Sequence, residues 1–253
     1  MFQYDFPDML IKFSSERKFL EDLRSGKIYM NESGYFRKLE DTYRGDKYDG
    51  KCPISLEKYK GTSMKFGSIE IPIECVHNFT LGFAGDDKIP LYCCSQISED
   101  ILQKETERKI KFRPEFIEEM RQFGSYYAVF SKNELLHNVS DFIKSNGLVC
   151  MNNIVSYVDI HSEYDIQLLN ENHIDQYRSF FKKDVLYRWQ NEWRMLIVSS
   201  NDDPLIDQSH NHYIANIKPL KWFYIGNVED LYTNAIEIRE VDDADLGENV
   251  LRK

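Results

Sequence analysis

The sequence predicts an α+β fold of two packed, mainly antiparallel or mixed β-sheets with peripheral helices, in one domain spanning residues 1–253. Three observations predict it. Strand-like and helix-like segments are mixed without a regular βα alternation. Several strand segments are joined by short connections. No repeat, low-complexity run or Pro/Gly/Ser linker divides the chain, whose 7 prolines and 12 glycines are dispersed. A chain of 253 residues buries roughly three quarters of the surface it exposes when unfolded, so its core needs no staple.

The elements follow in order. Ser14 or Ser15 opens a short helix carrying Phe19, Leu20 and Leu23, and Gly26 ends it. Residues 27–30 read as a strand. Residues 31–51 form a polar stretch that reads as a loop, and a loop of that length calls for a function. Residues 69–76 alternate, with Pro72 assigning them to a sheet edge. Residues 89–95 read as a short buried strand, residues 112–123 as an amphipathic helix with Pro114 near its start, and residues 126–130 as another strand. Ser131 and Glu134 form a capping box for a helix that ends near Asn146 and Gly147. Further strands fall around residues 148–157 and 193–198, and residues 222–226 make a last strand or buried turn.

Composition narrows the function classes. The chain has 42 acidic and 32 basic residues, a formal charge of −10. That balance argues against a broad phosphate-tracking surface but leaves room for a local basic cleft. Its 16 Phe, 16 Tyr and 3 Trp supply rigid flat surface for a core or a binding cleft. Cys52, Cys75, Cys93, Cys94 and Cys150 are odd in number and contain no CxxC, which reads as buried free thiols in a reducing compartment. The N-terminal stretch lacks a basic region, and no run approaches the ~18 apolar residues of a membrane span. A cytoplasmic protein without a membrane partner is expected.

Motifs for phosphate-binding loops, dinucleotide folds, zinc proteases and serine hydrolases are missing. His210-Asn211-His212 offers two imidazoles without a nearby third ligand and reads as a solvated loop. Glu115, Glu118 and Glu119 read as the outer face of a helix, so no metal site is expected. Two segments stand out instead. Residues 35–50 combine Arg37, Lys38 and Arg44 with Glu40, Asp41, Asp46 and Asp49 and with the rings of Tyr35, Phe36, Tyr43 and Tyr48. A guanidinium fork suits a phosphate, and a ring can stack on a base or nicotinamide; a solvated loop of self-paired charges is the alternative. In residues 182–198, a strand beginning at Gln190 puts Gln190, Glu192 and Arg194 on one face. Glu192 would then accept from a ribose hydroxyl and stabilise positive charge at the anomeric carbon, with Gln190 orienting a nucleophile. A Glu192–Arg194 ion pair on a solvated face and a helix through Trp189, Trp193 and Leu196 are the alternatives.

In this order the segments resemble a broad group of bacterial and phage-borne proteins, mostly uncharacterised, related to ADP-ribosyltransferases. The resemblance rests on Gly26-Lys27-Ile28-Tyr29-Met30, on Tyr35-Phe36-Arg37 through Arg44-Gly45-Asp46 and Gly50, and on Lys183, Tyr187, Gln190, Glu192 and Arg194. It implies an ADP-ribosyltransferase-like fold with NAD, the substrate, in a cleft between two small sheets. By resemblance, Arg37 or Arg44 would grip the pyrophosphate, and Ser95 would help hold the nicotinamide-side ribose and position Glu192. Glu192 would stabilise the ribosyl cation, Gln190 would face the acceptor, and Tyr126 or Tyr127 would supply a stacking ring. Toxins of the family carry a Ser-Thr-Ser triplet where this chain has Cys93-Cys94-Ser95. The implied activity is transfer of ADP-ribose to a macromolecular acceptor, protein or nucleic acid, or hydrolysis of NAD. The implied setting is a toxin or phage-defence effector, with an antitoxin as partner. The reading from a different class is a non-catalytic module that binds a nucleotide or a partner in the same cleft.

Overall fold

The computed structural model describes residues 8–39, 45–54, 56, 59–76, 79–82, 84–106, 108–159, 175–201, 204–206 and 209–237. The class is α+β, dominated by an antiparallel sheet of eight strands. These are β1 (Met9–Ser14), β2 (Lys27–Glu32), β3 (Pro90–Gln96), β4 (Tyr126–Ser131), β5 (Leu148–Ile154), β6 (Glu192–Ser199), β7 (His212–Asn216) and β8 (Phe223–Asn227). They run in the order β5-β6-β3-β1-β4-β8, with β2 pairing both β3 and β7.

One edge of β3 is shared between two partners. Its C-terminal end pairs with β1, Leu10 against Gln96 and Ile11 against Ser95. Its N-terminal end pairs with β2, Asn31 against Leu91 and Glu32 against Pro90. Between these contacts β1 and β2 diverge and the sheet forks. At the fork the Cys93 carbonyl accepts from Lys12 Nζ at 2.6 Å, so a side chain supplies a donor where the two strands part. Where two packed sheets are expected, the eight principal strands thus belong to one forked sheet. Smaller pairings surround it, and the strands Ser156–Val158 and Lys182–Asp184 form the one parallel pair among the described residues.

Alternation along the strands sorts side chains onto two faces. On one, Leu10, Tyr92, Cys94, Trp193, Met195 and Ile197 form a core. The helices α1 (Arg17–Arg24), α2 (Ser33–Lys38), α3 (Pro114–Met120) and α4 (Lys132–Asn146) flank the sheet. Leu20 and Leu23 of α1 and Leu135 and Val139 of α4 cover that first core. On the opposite face Ile11, Phe13 and Tyr127 pack with Phe116, Ile117 and Met120 of α3, while Leu91 and Leu196 pack on Phe180. The space between these two clusters becomes the site.

Local chemistry explains the ends of these elements. Gly26, at φ 95°, ends α1, and a Cβ there would run into the Ile217 carbonyl, a position only glycine fills without strain. Ser131 Oγ caps α4 by accepting from the Glu134 amide at 3.2 Å. The Glu134 carboxylate does not return to Ser131 but accepts from the Lys221 and Trp222 amides at 2.9 and 3.0 Å. The expected capping box is therefore half local and half a tether to the chain entering β8.

Other differences have physical reasons. Residues 31–51 are not one loop: β2 runs to Glu32 and α2 follows at once. That short helix has Ser33 and Gly34 in its first turn, poor helix formers, and it is fixed from outside. The Ser33 amide donates to the Ile89 carbonyl at 2.9 Å, and its hydroxyl to the Asp86 carbonyl. Only Ile69–Pro72 of the alternating segment is strand, paired with Ser63–Phe66. The central strand β1 has no sequence counterpart above, because a short apolar run lacks a distinguishing period. No helix among the described residues is long and apolar enough to cross a membrane. Replacing the capping hydroxyl, Ser131→Ala, is expected to cost about 1 kcal/mol, measured as a lower urea midpoint with an unchanged slope.

Candidate active site

The site begins with a backbone reversal. Asp184 Oδ1 accepts from the Leu186 amide at 2.9 Å and caps a 3₁₀ turn, Val185–Gln190. The turn ends at Asn191, with φ 43° and ψ 49°, the left-handed region that asparagine tolerates better than other side-chain-bearing residues. Its Nδ2 donates to the Gln96 carbonyl at 2.6 Å and to Ser98 Oγ at 2.9 Å, which holds the reversal. The strand therefore starts at Glu192, not Gln190, and the helical alternative does not form. Glu192 sits opposite Ser95 and Arg194 opposite Cys93, all on the face that carries Leu91 and Leu196.

A charge network follows. The Arg194 Nε donates to Glu192 Oε1 at 2.7 Å, and its Nη1 and Nη2 donate to the two Asp49 carboxylate oxygens, both at 2.9 Å. Nη1 also donates to the Phe180 carbonyl at 2.7 Å. Lys183 Nζ donates to Gln190 Oε1 at 2.7 Å and to Glu192 Oε2 at 3.2 Å, and lies 4.5 Å from the centre of the Tyr187 ring. Arg194 is 1% exposed and Lys183 4%, so these are buried charges that persist because each meets an opposite one. The turn bearing Asp49 ends at Gly50, at φ 68°, where a Cβ would run into the Phe180 ring.

Burial alone would push the Glu192 carboxyl up. Arg194 and Lys183, with hydrogen bonds from Arg194 and the Cys93 thiol, reverse this and hold it well below the usual range. Asp46 goes the other way: burial and the neighbouring Asp49 push it from 3.8 up to about 6, against the pull of Lys183, the Tyr48 amide and Arg194. Burial and Glu192 also push the Cys93 thiol up, which leaves it a poor nucleophile.

Around this network opens a cleft of about 730 Å³. Ser95, Cys93, Glu192 and Arg194 lie on its sheet side; Tyr35, Phe36 and Asp49 line it from one flank, and Phe13, Met120 and Phe123 from another. Phe19 and Tyr29, 55% and 50% exposed, also line it, as do Lys12 and Lys27. Tyr29 is stacked on His212 at 4.6 Å. Among the described residues no group of three or more His, Cys, Asp or Glu side chains could hold a metal ion.

The expected site residues divide. Glu192, Gln190 and Ser95 come together at the cleft. Ser95 Oγ donates to the Gln190 carbonyl at 2.6 Å, so it shapes the turn before Glu192. Gln190 is buried and turned toward Lys183 rather than toward an acceptor. Arg37 does not line the cleft; it donates to the Asp49 carbonyl at 2.7 Å and to Asp86 Oδ1 at 2.9 Å, fastening the turn that carries Asp49. Arg44 lies outside the described residues. Tyr126 and Tyr127 do not line the cleft either: Tyr127 is buried beside Phe13 and Tyr224, and Tyr126 packs on the core of the opposite face. Asp49, Lys183, Arg194 and Lys12 were not among the expected site residues. A signal for Arg194 existed, since a charge inside Trp193-Arg194-Met195-Leu196-Ile197-Val198 must find a buried counter-charge.

No family model, no curated protein and no solved structure matches this chain.

Asp49→Asn leaves the Arg194 guanidinium short of one buried counter-charge and is expected to cost about 3–5 kcal/mol, read by urea unfolding. The pH dependence has two opposed parts. Glu192, held low in the fold, contributes stability above its unfolded value that is lost as acid protonates it. Asp46, held high, binds its proton more tightly in the folded state, so stability falls as pH rises from about 4 to about 6, by about 3 kcal/mol. Asp46→Asn is expected to abolish that loss in unfolding curves taken at pH 4, 5, 6 and 7.

Proposed function

We propose that the cleft binds NAD and that Glu192 promotes cleavage of the bond between nicotinamide and ribose. ADP-ribose then passes to a macromolecular acceptor, protein or nucleic acid, or to water. The observation that carries this reading is a buried, ionised carboxylate facing an aromatic-lined cleft where the sheet forks. When nicotinamide leaves with the bonding pair, positive charge grows on the anomeric carbon. A fixed, buried carboxylate stabilises that charge without having to attack it. The forked sheet is then a version of the ADP-ribosyltransferase-like fold, and the toxin-like setting with an antitoxin rests on resemblance alone.

The cleft's other residues support a dinucleotide. Tyr29, Tyr35, Phe36 and Phe123 offer flat surface for its rings. With Arg37 committed to Asp86 and to the Asp49 carbonyl, the cleft-lining cations among the described residues that meet no carboxylate are Lys12, whose ammonium also donates to the Cys93 carbonyl, and Lys27.

One observation favours a second reading. Both carboxylate oxygens of Glu192 are already engaged by Arg194 and Lys183, as they would be in a non-catalytic nucleotide-binding module. Nicotinamide release from NAD by the purified protein separates the two. Turnover is expected, with Glu192→Gln lowering it about 100-fold or more while ADP-ribose still binds. Binding of ADP-ribose with no release by the wild type would establish the module instead.

A further inference from the structure

Glu192 does not reach the cleft unsupported. Lys183 lies on the short strand Lys182–Asp184, parallel to Ser156–Val158, and its ammonium bonds two side chains that stand on either side of the left-handed Asn191: Gln190 Oε1 at 2.7 Å and Glu192 Oε2 at 3.2 Å. The ammonium is itself seated over the Tyr187 ring, whose hydroxyl donates to the Gly45 carbonyl at 2.8 Å. The neighbouring Tyr157 hydroxyl accepts from the Glu192 amide at 2.8 Å. The same short strand pair thus grips both the main chain and the side chain of Glu192.

We propose that Lys183 is a positioning residue of this site, one ammonium that sets the orientation of Gln190 and Glu192 together and presents the Glu192 carboxylate to the cleft. This deepens the NAD-cleavage reading and rests on it for the reaction. Arg194 alone does not do the same work, because Asp49 takes two of its nitrogens and leaves Nε for Glu192 Oε1. The second oxygen is oriented by Lys183, with Arg194 Nη2 farther away at 3.4 Å. Among the described residues the ionisable and charged groups around the pair are Arg194 on β6, Cys93 on β3, Asp46 and Asp49 on the turn before Gly50, Tyr157 on the parallel strand, Asp184 beside Lys183, and Tyr187 on the 3₁₀ turn. Of the two cations among them, only Lys183 also reaches Gln190.

The test is the pH profile of nicotinamide release. In an Asp46→Asn background, which removes the other carboxyl that Lys183 pulls down, Lys183→Met is expected to move the acid limb up by about one pH unit or more, the effect of removing an opposite charge at this range. It should also lower kcat more than it raises KM for NAD. Lys183→Arg, which keeps the charge, is expected to return the acid limb toward the wild type. A folded Lys183→Met with an unmoved limb overturns the proposal. So does a Lys183→Arg limb displaced from the wild type by about one pH unit or more, and that arm decides the matter if Lys183→Met does not fold. The same question can be asked without turnover. In protein carrying ¹³C-labelled glutamate, the Glu192 carboxyl signal is assigned by its loss in Glu192→Gln and titrated in each variant. A raised midpoint in Lys183→Met upholds the positioning role even if the wild type releases no nicotinamide, in which case only the NAD reading falls. An unchanged midpoint overturns the role whatever the activity.

Discussion

The bidentate pair between Arg194 and Asp49 is the constraint on which the site depends. A guanidinium with 1% exposure in the middle of an apolar strand is affordable only if its donors are met. Four of its contacts come from three separate parts of the chain: Asp49, the Phe180 carbonyl and Glu192. Asp49 is 145 residues away in sequence, so satisfying Arg194 draws the turn before Gly50 onto β6. Arg37 completes the hold by taking the carbonyl of the same Asp49. The residue that looks like a ligand-gripping cation in the sequence is therefore an internal fastener, and the turn it fastens carries the counter-charge of the site.

The fork gives this network an outlet. A continuous sheet at β3 would leave no opening between β1 and β2. Their divergence across residues 92–94 separates the cluster under α3 from the cluster around Phe180, and the cleft lies between them. Lys12 serves the fork twice over: its ammonium reaches the Cys93 carbonyl, and its chain is part of the cleft lining. Pairing of both β6 and β2 with β3 links the strand that carries Glu192 to the rings of Tyr35 and Phe36, which belong to a helix set directly after β2.

Much of the fold could be read from local chemistry. The Ser131 cap, the Gly26 and Gly147 stops and the alternation of Trp193, Met195 and Ile197 all act within a few residues, and those helix ends and that alternation are as the sequence puts them, although α1 opens at Arg17 rather than at Ser14 or Ser15. What could not be read is set by distant contact. Helix α2 depends on Ile89 and Asp86, and β1 depends on being flanked by β3 and β4. In the site, the pairing of Glu192 with Arg194 was readable from their spacing of two, although the pair is buried rather than solvated. The partnership of Arg194 with Asp49 was not, because charge complementarity alone does not say which of several carboxylates in residues 40–49 a buried arginine will choose. Asn191 explains the displaced strand start: one residue in the left-handed region breaks the period-two alternation that had set Gln190 beside Glu192.

Charge arithmetic then bears on the proposed reaction. Among the described residues Glu192 and Asp49 face Arg194 and Lys183, two negative against two positive, with Asp46 a third carboxylate whose hold on its proton is pushed up to about 6 by burial and by Asp49. A carboxylate flanked by two cations is secure as an anion, yet its outward field is weakened by both. Asp49 offsets the guanidinium, so the field that reaches the cleft is that of Glu192 against a single ammonium, supplemented by Asp46 once it ionises. An electron-poor anomeric carbon beside Glu192 would therefore feel the whole cluster, not one side chain. Under the proposed reading, its stabilisation would depend as much on a turn near residue 49 as on the strand that carries the carboxylate.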